Sequence, residues 1–312
     1  MDVGVIGTGV MGKSHARVYS KIRAVHDIYV FDSNKTKVEE LRQYDAIVCD
    51  SLDELLHKVD AVSVCVPTEN HFEVVNEVVG ANVHCLIEKP LTLTSLEGEQ
   101  LLHLVDGDLV VGVGHIERFN PIIDEIQKVS DHMRYCEIRR HNPASTRITD
   151  STVVKDLMIH DIDIVFNVFF KDKTYGLNTV GNADVCSSLI DFDGSVVSLS
   201  ASRMSSKKIR SIYVEETEFT VEGDFMLQEV YVYRKPERYG MRGDRYTQEN
   251  IIEKVLVNKV EPLYVELRTF VDCVKHHREF PVTVEQAVHN LRVCEEIEKG
   301  FQWDILSTKQ LS

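Results

Sequence analysis

The sequence lacks the cysteine patterns of disulfide-linked or zinc-binding proteins and the long apolar runs of membrane-spanning proteins. Of its 312 residues only one is tryptophan, and the seven cysteines are odd in number and widely spread. No C-x-x-C pair occurs, so the cysteines predict neither a disulfide framework nor a zinc site. No apolar run approaches the length of a membrane-spanning helix, about 18 residues. The first predicted strand is not preceded by the basic region and apolar region of a signal peptide. We therefore expect a cytoplasmic protein that needs no metal.

Positive charge is scarce as well. The chain has 35 Lys and Arg against 50 Asp and Glu, which gives a formal net charge of −15. This charge repels phosphate backbones and anionic membranes, so neither nucleic acid nor membrane is an expected partner. The length predicts two domains, each large enough for its own core.

The first third of the chain alternates short apolar runs with helical patterns. The predicted strands are Val3–Ile6, Ile28–Phe31, Ala61–Val66, Cys85–Glu88 and Leu109–Val113. Such alternation predicts parallel βαβ units, and runs that are apolar throughout fit a sheet covered on both faces. We predict a doubly wound parallel sheet in an α/β domain over residues 1–118.

The remaining residues, 119–312, have a different pattern. Helices are predicted at Phe119–Val129, Val153–Phe169, Leu263–His276 and Val284–Lys299. Strands are predicted at Arg134–His141, Asp184–Phe192, Ser195–Ser202, Ile209–Val214, Phe219–Glu222 and Met226–Tyr233. Their short connections favour hairpins, so we predict an α+β domain with a large, mostly antiparallel sheet.

The loop between the first predicted strand and helix has the pattern G-x-G-x-x-G: Gly7-Thr8-Gly9-Val10-Met11-Gly12. In this position Gly7 permits a tight turn, Gly9 lets the backbone approach a pyrophosphate, and Gly12 allows close packing of helix on strand. The helix N-terminus offers amides to the negative charge. The pattern indicates a dinucleotide-binding Rossmann domain, with a glycine turn in an unrelated α/β fold as the alternative.

An acidic residue follows at the distance expected for a ribose contact. Asp32 ends the second predicted strand, 20 residues after Gly12 (32 − 12). Its carboxylate can accept hydrogen bonds from ribose hydroxyls and would repel a 2′-phosphate, so we predict NAD rather than NADP. Lys35 and Lys37 lie nearby and weaken this preference slightly, because a lysine can bind that phosphate.

Two groups of residues at the ends of predicted strands can take part in catalysis or cofactor binding. Pro67, Thr68 and His71 follow the predicted strand Ala61–Val66, and Glu88-Lys89-Pro90 ends the next one, at the edge where such sheets bind ligands. Pro90 could follow a cis bond that orients Lys89.

Asp156, His160 and Asp163 have the spacing of one helix face, where a histidine can take a hydroxyl proton near neutral pH. The structural alternative for Lys89 is a surface lysine at a turn. For His160 it is a histidine that is hydrogen-bonded on the polar face of a helix.

Together these motifs resemble the Gfo/Idh/MocA family of oxidoreductases along essentially the whole chain. The resemblance implies that Lys89 contacts the reacting hydroxyl and the nicotinamide ribose, that Asp156 supports this site, and that His160 is the general base. It also implies cofactor contacts from the glycine loop, Asp32 and the residues at the two strand ends: Pro67, Thr68, His71, Glu88 and Lys89. The sequence departs from the family pattern at Met158, where glycine is usual.

A narrower likeness comes from His115–Pro121, Asp156–Asp163 and Glu261–Leu263, which resemble the subgroup of UDP-N-acetylglucosamine 3-dehydrogenases. In the family pattern Arg118 and Asn120 face the substrate, although a helix start with Asn as cap and Pro in the first turn explains them equally well. The resemblance assigns residues 119–312 to substrate binding and to association as a homo-dimer or homo-tetramer.

Two cationic segments occur in this acidic chain. The first contains Arg234, Lys235, Arg238, Arg242 and Arg245, and the second contains Arg203, Lys207, Lys208 and Arg210. We interpret both as solvated hairpin tips or oligomer contacts, because runs of charge usually lie in water. The alternative for the first segment is binding of a diphosphate and a uracil ring.

The resemblance implies NAD-dependent oxidation of a sugar secondary alcohol, with UDP-N-acetylglucosamine as the expected substrate and its 3-keto derivative as product. Two alternatives stay open. One is a dehydrogenase of a free polyol or aldose of the inositol type, and the other is a non-catalytic NAD-binding regulatory protein.

Overall fold

The computed structural model describes residues 1–105, 107, 109–143, 151–236 and 239–301. The described residues divide into two compact units, the first formed by Met1–Phe119 with Glu261–Arg292 and the second by Asn120–Val260 with residues 293–301. The predicted division into 1–118 and 119–312 differs from this, because the segment Glu261–Arg292 packs with the first unit. The α/β fold class with a second, mostly antiparallel unit is confirmed.

Six strands in the described part of the first unit form a parallel sheet in the order β3-β2-β1-β4-β5-β6. These strands are β1 Val3–Ile6, β2 Ile28–Phe31, β3 Ile47–Val48, β4 Ala61–Val64, β5 His84–Glu88 and β6 Val111–Gly114. The strand order reverses between β1 and β4, and the carboxyl ends of these strands form the crevice where doubly wound sheets bind ligands. Strand β3 was not predicted, since two residues give no recognisable apolar run.

The helices of the first unit include α1 Val10–Tyr19, α2 Lys35–Val38, α3 Leu52–Leu56, α4 His71–Gly80 and α5 Ser95–Leu104. Side-chain oxygens cap several of their N-termini. Ser51 accepts a hydrogen bond from Glu54 N, and Thr94 accepts one from Glu97 N. These caps satisfy amides that have no partner inside the helix, which is why each helix begins where it does.

The returning segment of the first unit carries α8, Pro262–Lys275, and the first part of α9, Val284–Lys299. Helix α8 packs against α1. The ring of Phe280 lies so close to Gly112 of β6 that a Cβ on this glycine would come within 2.3 Å of it. Val113 N also donates a hydrogen bond to Val282 O at 3.1 Å. Apolar packing and this backbone bond therefore join the segment to the sheet.

Eight strands in the described part of the second unit form a sheet in the order β16-β13-β12-β11-β7-β10-β9-β8. Their bounds are β7 Tyr135–Pro143, β8 Gly176–Gly181, β9 Val185–Asp191, β10 Val196–Ser202, β11 Met204–Glu215, β12 Phe219–Asp224, β13 Glu229–Arg234 and β16 Ile251–Val255. A separate hairpin contains β14 Tyr239–Arg242 and β15 Arg245–Gln248. The pair β7–β10 is parallel, and the other neighbouring pairs are antiparallel.

One face of this sheet is buried. Along β9 the residues alternate strictly, with Cys186 and Ile190 buried and Leu189 exposed. Helix α6, Pro121–Val129, packs on β12 and β13 at the buried face, which explains its strongly one-sided apolar pattern.

The long predicted helix Val153–Phe169 of the second unit is not uniform. Its central part, α7 at Ile159–Ile164, is α-helical, and it lies between π-helical segments at Val154–Met158 and Val165–Phe169. Wider π turns are uncommon and are found mostly at functional sites. Asp156 therefore lies in a π-helical turn, whereas His160 lies in the α-helical part.

In the described part of the chain, no helix is both long enough and apolar enough to cross a bilayer.

Candidate active site

The glycine loop has the geometry that its pattern predicts. Gly7 has a φ of 87°, in the left-handed region that favours glycine, and a Cβ there would lie 2.7 Å from the backbone of Cys65. A Cβ on Gly12 would lie 1.9 Å from Gly7 O. At Gly9, by contrast, a Cβ would meet no atom within 4 Å. Gly7 and Gly12 thus shape the turn itself, whereas Gly9 keeps open space in front of it.

This open space is a cavity of about 640 Å³ at the carboxyl ends of β1, β2 and β4. Predicted residues in its wall are Gly7, Gly9, Val10, Met11, Asp32 and Pro67. Cys65, Lys37 and Glu73 also line it. The cavity begins at the N-terminus of α1, where free amides favour a phosphate group. The residues present therefore fit a dinucleotide.

Asp32 is held in place by hydrogen bonds from the loop around it. Its Oδ2 accepts from Thr8 N at 2.7 Å and from Thr8 Oγ1 at 3.0 Å, and its Oδ1 accepts from Asn34 N at 2.8 Å. Burial alone would raise the pKa of Asp32, but these hydrogen bonds outweigh it and lower the pKa. Thr8, which is fully buried, therefore acts by fixing an ionised Asp32 at the edge of the cavity.

His71 joins the two loops that follow β4 and β5. Its Nδ1 lies 3.1 Å from the carbonyl oxygens of Pro90 and Leu91, and its Nε2 lies 3.0 Å from Val66 O. The ring is buried, and burial lowers the pKa of His71 against the opposing effect of these carbonyls. Thr68 begins the short 3₁₀ turn that leads to His71. His71 therefore contacts protein backbone on both sides of its ring.

The segment Glu88-Lys89-Pro90 is anchored from α1. The Lys89–Pro90 peptide is cis, as the sequence allowed. Glu88 is buried, and its Oε1 lies 2.8 Å from Nε2 of the fully buried His15. Lys89 is half-buried. Sequence reasoning missed His15, although a histidine three residues after Gly12, in the first half of an otherwise packed helix, was a signal for it.

Asp156 and His160 lie in the second unit. His160 is buried in α7. Asp156 is mostly buried, and its Oδ2 lies 3.7 Å from a guanidinium nitrogen of Arg203. The third residue of the predicted helix face, Asp163, accepts a hydrogen bond from Asn167 at 3.1 Å. Asp156 therefore lies beside an arginine that the sequence analysis had assigned to a solvated run.

A buried ion pair fixes α7 to the sheet. The guanidinium of Arg140, on β7, donates to both carboxylate oxygens of Asp161 at 2.7–3.1 Å. Both side chains are 1% exposed, and the guanidinium lies 5.3 Å from the ring centre of Phe225. Because Asp161 directly follows His160, this pair restrains the rotation of the turn that carries the histidine. Neither residue was predicted, since nothing in the sequence shows that the two meet.

The two predicted substrate contacts have partners of their own. Asn120 caps α6, with Oδ1 accepting from Ile122 N at 3.4 Å and Nδ2 donating to Phe225 O at 3.0 Å. This is the helix-cap geometry that the sequence offered as its alternative. Arg118, in the first unit, donates to Gln286 Oε1 at 3.4 Å.

The cationic segments differ from each other. Arg234 makes two 3.0 Å hydrogen bonds to Glu253 on the neighbouring strand, and Lys235 and Arg245 are exposed. Arg238 and the side chain of Arg242 lie outside the described residues. In the second segment Lys207 and Lys208 are exposed, but Arg203 is buried and also donates to Ser151 O. Arg203 was therefore wrongly grouped with solvated residues.

The comparisons with known proteins agree with this geometry. Residues 1–115 match the Gfo/Idh/MocA model, described as an oxidoreductase family with an NAD-binding Rossmann fold. The chain is 31% identical over 292 residues to the UDP-N-acetylglucosamine 3-dehydrogenase of Acidithiobacillus ferrooxidans, which covers 89% of this chain and 90% of that protein. The solved structure of that bacterium's enzyme, GnnA, has a TM-score of 0.86 at 28% identity, over 96% of this chain and 97% of the other.

A second relative is less similar. The inositol 2-dehydrogenase of Paracoccus denitrificans is 26% identical over 178 residues, which is 53% of each chain.

Proposed function

Because the chain belongs to the Gfo/Idh/MocA family of oxidoreductases, we propose that it oxidises the 3-hydroxyl of UDP-N-acetylglucosamine with NAD. The observation that supports this substrate is the likeness to the Acidithiobacillus enzyme along nearly the whole chain, in both units. The inositol dehydrogenase, by comparison, matches about half of it. A free polyol is therefore the second candidate.

The proposed chemistry divides between a base and a cation. His160 takes the proton of the hydroxyl group, and Lys89 polarises the same oxygen as its charge develops. Asp156, which lies beside Arg203, supports the site of His160 and Lys89 electrostatically. When bound, NAD supplies the acceptor for the carbinol hydride. General-base assistance of this kind contributes roughly 10²–10⁴-fold to the rate.

NAD is the proposed cofactor because Asp32 is an ionised acid at the edge of the cavity. Its lowered pKa keeps it negative at neutral pH, where it would repel a 2′-phosphate. Lys37 lines the same cavity and acts in the opposite direction. We expect kcat/KM to be higher with NAD than with NADP, and Asp32→Ala to reduce that preference while Lys37→Ala increases it.

The test is a panel of UDP-N-acetylglucosamine, UDP-glucose, free N-acetylglucosamine and inositol, each with NAD, followed by the absorbance of reduced cofactor. We expect turnover with the first compound, and a loss of about 10²–10⁴-fold in kcat for His160→Ala. Lys89→Ala should also lose most of the turnover. His57→Ala and Lys58→Ala replace exposed residues and serve as matched controls.

Turnover of inositol in place of the sugar nucleotide would favour the second candidate. Cofactor binding without turnover of any compound would favour a regulatory protein.

Self-association is part of the proposal. The open face of the second unit's sheet exposes Val185, Leu189 and Val196, with Leu189 55% exposed. Since these side chains lie on neighbouring strands β9 and β10, they form an apolar patch that a second copy of the chain could cover. We expect a homo-dimer or homo-tetramer by light scattering, and dissociation in Leu189→Asp. A monomeric native protein would contradict this.

A further inference from the structure

Three side chains that can ligate metal meet behind the cofactor cavity, at a place where the proposed reaction uses none of them as an acid or base. They are His15 on α1, Cys65 directly after β4, and Glu88 at the end of β5. One ligand atom from each lies within 4.8 Å of the other two. Chain segments far apart in sequence thus bring a nitrogen, a sulfur and an oxygen donor to one point.

This set of donors is selective among metal ions. Imidazole, thiolate and carboxylate are the ligands that zinc takes, and three protein ligands with a water in the fourth position are typical of open zinc sites. The sulfur donor argues against Mg²⁺ and Ca²⁺, which bind through oxygen. The donors of His15 and Glu88 are already 2.8 Å apart, so only a small widening is needed to seat an ion between them.

The surroundings favour a cation. The His15 side chain is fully buried, and that of Glu88 is about nine-tenths buried. Burial raises the pKa of the Cys65 thiol well above its usual value, and the carboxylates of Glu88 and the buried Glu266 raise it further, so this thiol loses its proton only where a cation compensates. Cys65 also lines the cofactor cavity, which gives an ion a path from solvent. A low dielectric strengthens the attraction between these carboxylates and a divalent ion.

We propose that His15, Cys65 and Glu88 bind Zn²⁺, and that the ion and the cofactor oppose each other's binding. Coordination releases the thiol proton of Cys65 to solvent and moves the ring proton of His15 from Nε2 to Nδ1, which makes no hydrogen bond within the described residues. The ion replaces the hydrogen bond between His15 and Glu88. Glu88 directly precedes Lys89, so a bound ion displaces the loop that carries Lys89. It also displaces Cys65, which lines the cofactor cavity.

The test is a titration of the full, cofactor-free chain with CoCl₂ after treatment with a chelator. We expect a thiolate-to-cobalt charge-transfer band that saturates at one equivalent and disappears when Zn²⁺ is added. Cys65→Ser should abolish the band, and Glu88→Gln should weaken binding. Cys85→Ser replaces a buried cysteine of β5 outside the cluster, and it should keep the band. Circular dichroism of each variant checks that it is folded.

Saturation with NADH should weaken cobalt binding by about 10-fold, the usual size of coupling between two sites. The site is wrong if the native chain shows no thiolate band, or if the band persists in Cys65→Ser. Cobalt affinity that is unchanged by bound NADH would overturn the proposed opposition between ion and cofactor. None of these readouts depends on the sugar substrate, so the metal site can fail while the proposed reaction stands.

Discussion

In the first unit backbone groups hold Asp32 and His71, whereas in the second unit charged side chains lie around Asp156 and His160. Asp32 is fixed by the amides of Thr8 and Asn34, and His71 by backbone carbonyls. Around His160, the guanidinium of Arg140 binds the neighbouring Asp161, and Arg203 lies beside Asp156. A site held by backbone depends on where the chain turns, whereas a site held by ion pairs depends on distant residues that meet only in the fold.

The largest effect on stability is expected when one partner of the buried ion pair is removed. Arg140→Ala leaves Asp161 charged and buried, which should cost about 3–5 kcal/mol in the free energy of unfolding. Arg140→Met combined with Asp161→Leu should restore most of that stability, because apolar pairs of similar volume often replace buried ion pairs without loss. Denaturant unfolding measures both.

The double variant also separates stability from positioning. An apolar pair has no directional hydrogen bonds, so it should not fix the turn that carries His160. We expect turnover to fall by about 10²-fold, the effect of a small misplacement of a reacting group, while NADH binding in the first unit is unchanged. A stable double variant with full turnover would show that Arg140 has only a structural role.

A matched pair of glycine substitutions probes the first unit. Gly12→Ala puts a Cβ 1.9 Å from Gly7 O, so backbone must shift, and we expect a loss of about 1–3 kcal/mol or more in the free energy of unfolding. Gly9→Ala meets open space and should leave stability unchanged. Its methyl group fills room in front of the turn, so NADH affinity should fall by about 10-fold, or about 1.4 kcal/mol. Equal stability losses in the two variants would contradict this division of roles.

The contrast between the units also explains what the sequence could and could not predict. The glycine loop, Asp32 and the strand ends were predictable because local spacing dictates them. Strand β3 and the return of Glu261–Arg292 to the first unit were not, since one is too short to show a pattern and the other depends on long-range packing around Phe280. The roles of Arg140 and Arg203 were missed because their partners lie 21 and 47 residues away (203 − 156 for the second). The position of His15 after Gly12 was a signal, but its partner Glu88 lies 73 residues away and appears only in the fold.

The smallest expected effect is a pH dependence from His71. Burial holds its folded-state pKa below the usual 6.5, so the unfolded chain binds the proton first as the pH falls. Its contribution to stability is therefore complete above pH 6.5 and is lost as the pH falls toward the folded-state pKa. The slope is at most about 1.4 kcal/mol per pH unit. His71→Gln should flatten the difference between unfolding curves at pH 7 and pH 5.5, and an unchanged difference would remove His71 as its source.

The most direct test of the proposed reaction follows one hydrogen atom. UDP-N-acetylglucosamine that carries deuterium at C3 of the sugar is incubated with NAD and the enzyme, and the reduced cofactor is analysed by mass spectrometry. Transfer from C3 predicts one deuterium in the reduced cofactor and a slower turnover than with unlabelled sugar, with both signals absent in His160→Ala. Turnover that leaves the deuterium on the sugar would contradict oxidation at this carbon.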